Sequence, residues 1–338
     1  MSPRREAASR VVLADVAELA GVAASTVSRV LNRRDEGFSV RPALRQRILD
    51  AAAELGYRPN INARTLRRQT SGYIAVLGLR MLARAVHDPS DSVLDRMATT
   101  LKASGLHLTS THVGGEGDPF RLPPWQVDGA VVVRASGAAD LAAVEASNLP
   151  YATINAAAGP GGASVLVDDR GGMEAALEHL FALGHRRIAY ASHPDRFGDH
   201  AGQHERAEAY AGFLQARGVE PVHRVLREEA PHAPLVRSLL EEGVTAVVTY
   251  THFLALMLLE AAREERIAVP GRLSLVTFND EYPMAQVGSG VTCVAHPTDA
   301  MAAAASDLLL RRIRGQPTPT SVRLPMVLVP RGSSAAPG

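Results

Sequence analysis

Five side chains able to make directed hydrogen bonds crowd one short stretch: Ser25, Thr26, Ser28, Arg29 and Asn32. Hydroxyls, an amide and a fork-shaped guanidinium bond phosphate oxygens and guanine edges, so the set suits a polyanion that carries readable bases. Histidines form a second candidate set. His193, His200 and His204 fall close together, the last two four residues apart. Three histidines in one Gly-containing loop more often make a solvated loop than a metal centre, and no metal or other cofactor is expected. Catalytic signatures are missing: there is no Gly-x-Ser-x-Gly, no Gly-Lys-Ser/Thr phosphate loop and no Gly-x-Gly-x-x-Gly after the first predicted strand. Cys293 is the single cysteine, which excludes an intrachain disulfide framework and a cysteine zinc finger. An enzyme is not expected.

The elements that must position the first set follow from periodicity. Val16, Leu19 and Ala20 have the i, i+3, i+4 spacing of a helix, Val27, Val30 and Leu31 repeat it, and Gly21 punctuates between them. Two short amphipathic helices joined by a Gly-containing turn make a helix-turn-helix. A third helix is predicted from about Pro42 to Leu55, with Leu44, Ile48, Ala51, Ala52 and Leu55 on one stripe and Gly56 as its stop. The basic segment 59–68 is too short to be a stable isolated helix in water and is expected to order only on a partner surface.

Charge supports a partner at one end. The chain of 338 residues has a formal net charge of +1, yet residues 1–72 carry 13 Arg against 7 acids and the remainder is net −5. A basic module joined to a mildly acidic body fits a polyanion contacted at one end only. The apolar stretch after Arg10 is broken by Asp15 and Glu18, unlike a secretory signal, and the run 244–259 is short for a membrane span and contains His252. An intracellular, cytoplasmic and nucleoid-associated protein with no membrane partner is expected.

From Tyr73 the pattern changes to short β-rich runs alternating with Ala/Leu helices. Strands are predicted at 73–79, 130–133, 152–154, 187–191, 246–249 and 273–278. Helices are predicted at 93–104, 172–183, 206–217, 235–242, 254–265 and 299–314. Such alternation predicts parallel sheets with helices on both faces, and about 260 residues favour two lobes over one. Ligand-binding residues are then expected just beyond the carboxyl ends of the strands.

Three segments carry a resemblance: Asp15-Val16-Ala17-Glu18-Leu19-Ala20-Gly21-Val22, Thr26-Val27-Ser28-Arg29-Val30-Leu31-Asn32 and Leu55-Gly56-Tyr57-Arg58-Pro59-Asn60. Together they resemble the lactose-repressor (LacI-type) family of transcription regulators, and the likeness continues through Val167-Asp168-Asp169, Leu183-Gly184-His185-Arg186-Arg187-Ile188 and Pro330-Arg331-Gly332. The resemblance implies that the second helix enters the major groove of operator DNA. Ala24, Ser25 and Arg29 would face bases, and Thr26, Ser28 and Asn32 would hold phosphates. It implies a hinge helix in the minor groove over about Asn60 to Leu66, with Leu66 wedging a base step and Ala63 beside it. Val12 and Ala23 stand where the family usually has a Ser or Thr cap, each loss being about 1 kcal/mol.

For the body the resemblance implies a periplasmic-binding-protein-like pair of doubly wound lobes that close on a small effector. The expected domains are a helix-turn-helix over 1–58, a hinge over 59–72 and the body over 73–338. Within the body, the N-lobe would take 73–168 and 293–318 and the C-lobe 169–292 and 319–332. Carrying the family's effector contacts over residue by residue gives Arg206, Asn155, Thr251, Asn279 and Asp280. Fewer carboxylates stand at these positions than the family usually has. Arg206, with Arg80 or Arg84, leaves three alternatives open: an effector bearing carboxylate or phosphate, a neutral sugar, or no effector. The expected partners are double-stranded operator DNA, a carbohydrate-like effector and a second copy of the chain. A homodimer would read a pseudo-palindromic operator as a repressor.

Overall fold

A computed structural model of the chain describes residues 11–31, 40–57, 70–79, 88–110, 119–135, 137–194, 201–227 and 231–338. The chain divides into two compact units, Met1–Ser71 and Gly72–Gly338. Among the described residues no helix is long and apolar enough to cross a membrane.

The first unit holds helices α1 (Leu13–Ala20), α2 (Ala24–Leu31) and α3 (Pro42–Glu54). They close on a small core of Val16, Ala17, Ala20, Val27, Val30, Ile48, Ala51 and Ala52. Gly21 ends α1 with φ +62°, and the N–H of Val22 reaches back to the Ala17 carbonyl at 3.0 Å. A residue with Cβ would be strained in that left-handed turn. Val12 supplies no side-chain cap, but its own N–H donates to the Asp15 carboxylate at 2.8 Å, so one end of the cap survives.

The second unit contains two six-stranded sheets. The first has the order β11-β5-β4-β3-β1-β2, all parallel, from Ser321–Pro325, Gly162–Asp168, Tyr151–Ile154, Gly129–Val133, Tyr73–Leu77 and His107–Thr109. Helices α4 (Pro89–Ala103), α5 (Ala138–Ala146) and α10 (Thr298–Ile313) belong to this lobe. The second has the order β12-β10-β9-β8-β6-β7, from Val327–Val329, Thr292–Ala295, Ser274–Phe278, Ala246–Thr249, Ile188–Ser192 and Val222–Val225. Only β12 runs antiparallel there. Helices α6 (Asp169–Ala182), α7 (Ala201–Gln215), α8 (Ala233–Glu241) and α9 (His252–Glu264) cover that sheet. The central strands are continuously buried and mostly β-branched, small or large apolar residues, as parallel strands covered on both faces must be.

The expected lobe boundaries need correction at two of the three crossings. Strand β10 stays in the second lobe, because Cys293 pairs with Thr277 of β9, so the return to the first lobe comes after residue 295 rather than before 293. Strand β11 belongs to the first lobe, with Ser321 beside Ser164 of β5, so residues 319–325 are not part of the second. The last crossing falls at Met326, between β11 and β12. Both segments lie at or next to sheet edges, where β11 alternates between exposed and half-buried residues and gives a weak apolar signal.

Candidate functional site

The surface of α2 is built by a simple division of faces. Val27 and Val30 are buried in the three-helix core, so Ala24, Ser25 and Arg29 are turned out and exposed, with Thr26 and Ser28 half-buried between them. Asn32 lies outside the described residues, as do the hinge residues Asn60, Ala63 and Leu66 and the 33–39 segment. The structure therefore brings together five of the nine residues expected at DNA.

The second site is a cavity between the two lobes, where carboxyl ends of strands from both sheets converge. Arg134 follows β3, Asn155 follows β4, His193 follows β6, Tyr250 and Thr251 follow β8, Asn279 follows β9, and His296 follows β10. Asp88 and Ser90, at the start of α4, complete the first lobe's wall. Three residues at these strand ends, Arg134, Asn155 and Asn279, have left-handed backbones with φ of 54°, 52° and 70°. Asn tolerates that region, but an Arg there costs roughly 1–2 kcal/mol and marks a position held for its side chain.

Arg206 reaches the cavity from α7 and is 3% exposed. Its Nε donates to Asp169 at 2.6 Å, its Nη1 donates to the Tyr250 carbonyl at 2.8 Å, and its guanidinium lies 3.8 Å from the Phe278 ring centroid. Asp169 is itself buried at the start of α6. Arg134 donates from Nη2 to Asp91 at 2.9 Å and stands 3.5 Å from Asp88. Burial pushes the Asp88 carboxyl up, but Arg134 and hydrogen bonds from Ser90 outweigh it and hold the group below the usual carboxylate range. The same carboxylates, against burial, hold the Arg134 guanidinium above its ordinary value.

Four of the five residues expected at an effector line this cavity: Arg206, Asn155, Thr251 and Asn279. Thr251 also caps α9 by accepting from the Leu254 N–H at 3.4 Å. Asp280 does not line it. Arg331 grips that carboxylate through Nη1 at 2.7 Å and Nη2 at 2.6 Å, which fixes the loop just after Asn279 instead. Carboxylates stand at other positions beside the cavity, with Asp169 behind Arg206 and Asp88 and Asp91 behind Arg134. Arg80 and Arg84 lie outside the described residues. Among the histidines, His193 forms part of the wall, with Nδ1 donating to the Pro194 carbonyl and its ring edge-on to Tyr250. His204 is exposed, and His200 is outside the described residues. No group of three or more potential metal ligands occurs among the described residues.

Residues 12–60 match the model of the lacI family of bacterial regulatory proteins, and residues 177–334 match the periplasmic binding protein-like domain. An uncharacterized HTH-type transcriptional regulator from the aml 5' region of Streptomyces limosus is 33% identical, over 96% of this chain and 94% of its own. The chain belongs to the lacI family. Its relatives include the HTH-type transcriptional regulator reg1 of Streptomyces lividans, 30% identical over 96% of this chain and 97% of that protein. The CelR–cellobiose complex matches in structure with a TM-score of 0.64 at 25% identity, covering 96% of this chain and all of that one. The lac repressor dimer bound to operator and an anti-inducer matches with a TM-score of 0.75 at 23% identity, over 97% and 100% of the two chains. A lacI-family chain is a DNA-binding transcriptional regulator, with a helix-turn-helix joined to a two-lobed periplasmic-binding-like body. Sequence reasoning had missed Arg134, Asp88 and Asp169. Each acquires its role from a partner that lies in another element or across the sheet, and no local spacing carries that signal.

Proposed function

We propose that the protein is a cytoplasmic, nucleoid-associated repressor that binds a pseudo-palindromic operator as a homodimer and responds to a carbohydrate-like effector in the interlobe cavity. The exposed face of α2 carries the DNA half of this reading: Ser25 and Arg29 stand out from a helix whose Val27 and Val30 are locked in the core. In this reading Arg29 bonds a base edge bidentately, Ser25 and Ala24 face bases, and Thr26 and Ser28 hold phosphates. Asn32, Asn60, Ala63 and Leu66 are proposed as further DNA contacts on the family resemblance alone.

The effector half rests on the cavity between the lobes and on its polar lining of Asn155, Gln203, Arg206, Thr251 and Asn279. Such groups, beside the ring of Tyr250, suit a hydroxyl-rich ligand with an apolar face. A ligand that prefers one degree of lobe closure shifts the population of DNA-binding dimers by its differential affinity. Selection of bound DNA from a random pool, repeated with a panel of sugars, tests both halves. A two-fold symmetric consensus whose recovery changes with one sugar is the expected result. Recovery of unrelated sequences would refute operator recognition, and indifference to the whole panel would refute the effector.

A further inference from the structure

We propose that Arg134 sets the class of ligand this cavity accepts, donating from Nε to a hydroxyl oxygen and selecting uncharged ligands over anionic ones. The inference rests on the carbohydrate-effector reading and narrows it.

The side chain of Arg134 is 10% exposed and lines the cavity from the first lobe. Its Nη2 is occupied by Asp91, with Asp88 close behind, yet its Nε is buried and has no hydrogen-bond partner. A buried guanidinium N–H left without an acceptor is a costly arrangement unless a ligand completes it. Asn279, 8% exposed on the second lobe's wall, shows the opposite need: its Nδ2 donates to His252 Nδ1 at 3.4 Å while Oδ1 has no donor. Two residues of the cavity wall thus carry an unmet donor on one lobe and an unmet acceptor on the other. A hydroxylated ligand meets both, because each hydroxyl can accept and donate. A carboxylate or ionised phosphate oxygen only accepts, and leaves Asn279 Oδ1 unmet.

The charge of the described residues disfavours an anion independently. The two guanidiniums at the cavity, Arg134 and Arg206, are already matched by Asp88, Asp91 and Asp169. Among the described residues, an entering anion finds these three carboxylates against two guanidiniums, each of them already ion-paired. The left-handed backbone of Arg134, with Asp88 just before α4 and Asp91 within it gripping Nη2, holds the guanidinium in place and leaves Nε without a protein acceptor.

The test is titration calorimetry of the full-length protein against two matched sets. One set is glucose, galactose, ribose, maltose and cellobiose. The other is glucose 6-phosphate, galactose 1-phosphate, ribose 5-phosphate and glucuronate. Wild type should bind a neutral member and none of the anions comparably. Arg134→Lys keeps a cation for Asp88 and Asp91 but has no Nε to donate sideways, and should weaken that neutral ligand about tenfold or more with the thermal midpoint preserved. Full affinity in Arg134→Lys would assign Arg134 a merely structural role and overturn the inference. Preferential binding of an anionic member would overturn it too, while leaving a carbohydrate-type effector in place. Silence across both sets in wild type would instead overturn the effector reading, and this inference with it.

Discussion

Arg323, on the edge strand of the first lobe, donates to both oxygens of Glu205 on the second lobe, at 2.9 and 3.3 Å. Glu205 immediately precedes Arg206, whose guanidinium lies in the cavity wall, and Arg323 also donates to the Val167 carbonyl where β5 leaves the first lobe. The pair therefore ties the two lobes together beside the crossing at 168–169. A second tie runs from the Ser92 hydroxyl of α4 to Glu281, 3.2 Å away in the loop after β9. Both contacts join the two lobes away from the chain itself, in a body whose lobes share three chain crossings.

Reversing the charge at one end of the first tie, as in Glu205→Arg, should loosen closure with little effect on folding. Both side chains are partly exposed, and exposed pairs contribute less than about 1 kcal/mol to stability. The thermal midpoint should thus hardly move, while the effector concentration that half-shifts DNA affinity changes several-fold. The double reversal Glu205→Arg/Arg323→Glu should restore it. An unchanged effector response in both single reversals, read by fluorescence anisotropy of labelled operator, would show that the tie does not report closure.

Arg29→Ala removes the one long hydrogen-bonding side chain among the exposed residues of α2. Loss of a bidentate base contact should cost about 1–3 kcal/mol of discrimination at one base pair of each half-site, leaving preference elsewhere in the site intact. Competition binding with single-base variants of the selected operator measures this directly. A uniform loss across all variants would make Arg29 a phosphate contact instead.

Much of this architecture is legible in the residues because it is local. The faces of α2 follow from Val27 and Val30, and the six predicted strands correspond to β1, β3, β4, β6, β8 and β9, six of the eight inner strands of the two sheets. Of the unpredicted strands, β2 and β7 are edges with His107, His223 and Arg224, and β11 and β12 are partly exposed, so their apolar signal is dilute, whereas β5 and β10 are largely buried. Cavity residues that follow a predicted strand, such as Asn155 and Asn279, could be placed by the strand-end rule. Arg134 also follows a predicted strand, but its importance comes from Asp88 and Asp91, 46 and 43 positions earlier, and folding alone makes that juxtaposition. Asp280 shows the converse, since its position suggested the cavity and Arg331, from the last part of the chain, takes its carboxylate away.

His185 gives the body a pH dependence of definite sign. Its ring is 1% exposed, bonded to Thr245 Oγ1 at 2.8 Å and to the Ala335 carbonyl at 2.8 Å, which pins the C-terminal segment to the second lobe. Burial lowers the pKa of the imidazole despite the Ala335 hydrogen bond, so the folded chain prefers the neutral ring. Its contribution is then fully present above the unfolded value of about 6.5 and is lost as pH falls below it, at up to about 1.4 kcal/mol per pH unit. Thermal melts from pH 8 to 5 should fall more steeply for wild type than for His185→Gln. Parallel pH profiles would assign the acid sensitivity to other groups.

The buried pair of Asp169 and Arg206 should behave quite differently from the exposed tie next to it. Both side chains are 5% exposed or less, and Nε to Oδ1 is 2.6 Å. Removing one member strands the other charge in the protein interior, at a cost of about 3–5 kcal/mol, whereas removing both is far milder. Asp169→Asn should therefore lower the thermal midpoint of the body, and Asp169→Asn/Arg206→Met should recover part of the loss. The double variant also deletes a cavity residue, so it should regain stability without regaining effector response. If Asp169→Asn melts like wild type, Arg206 is satisfied by the Tyr250 carbonyl and the Phe278 ring alone. Its charge would then be available to a ligand, and the charge balance that closes the cavity to anions would no longer hold.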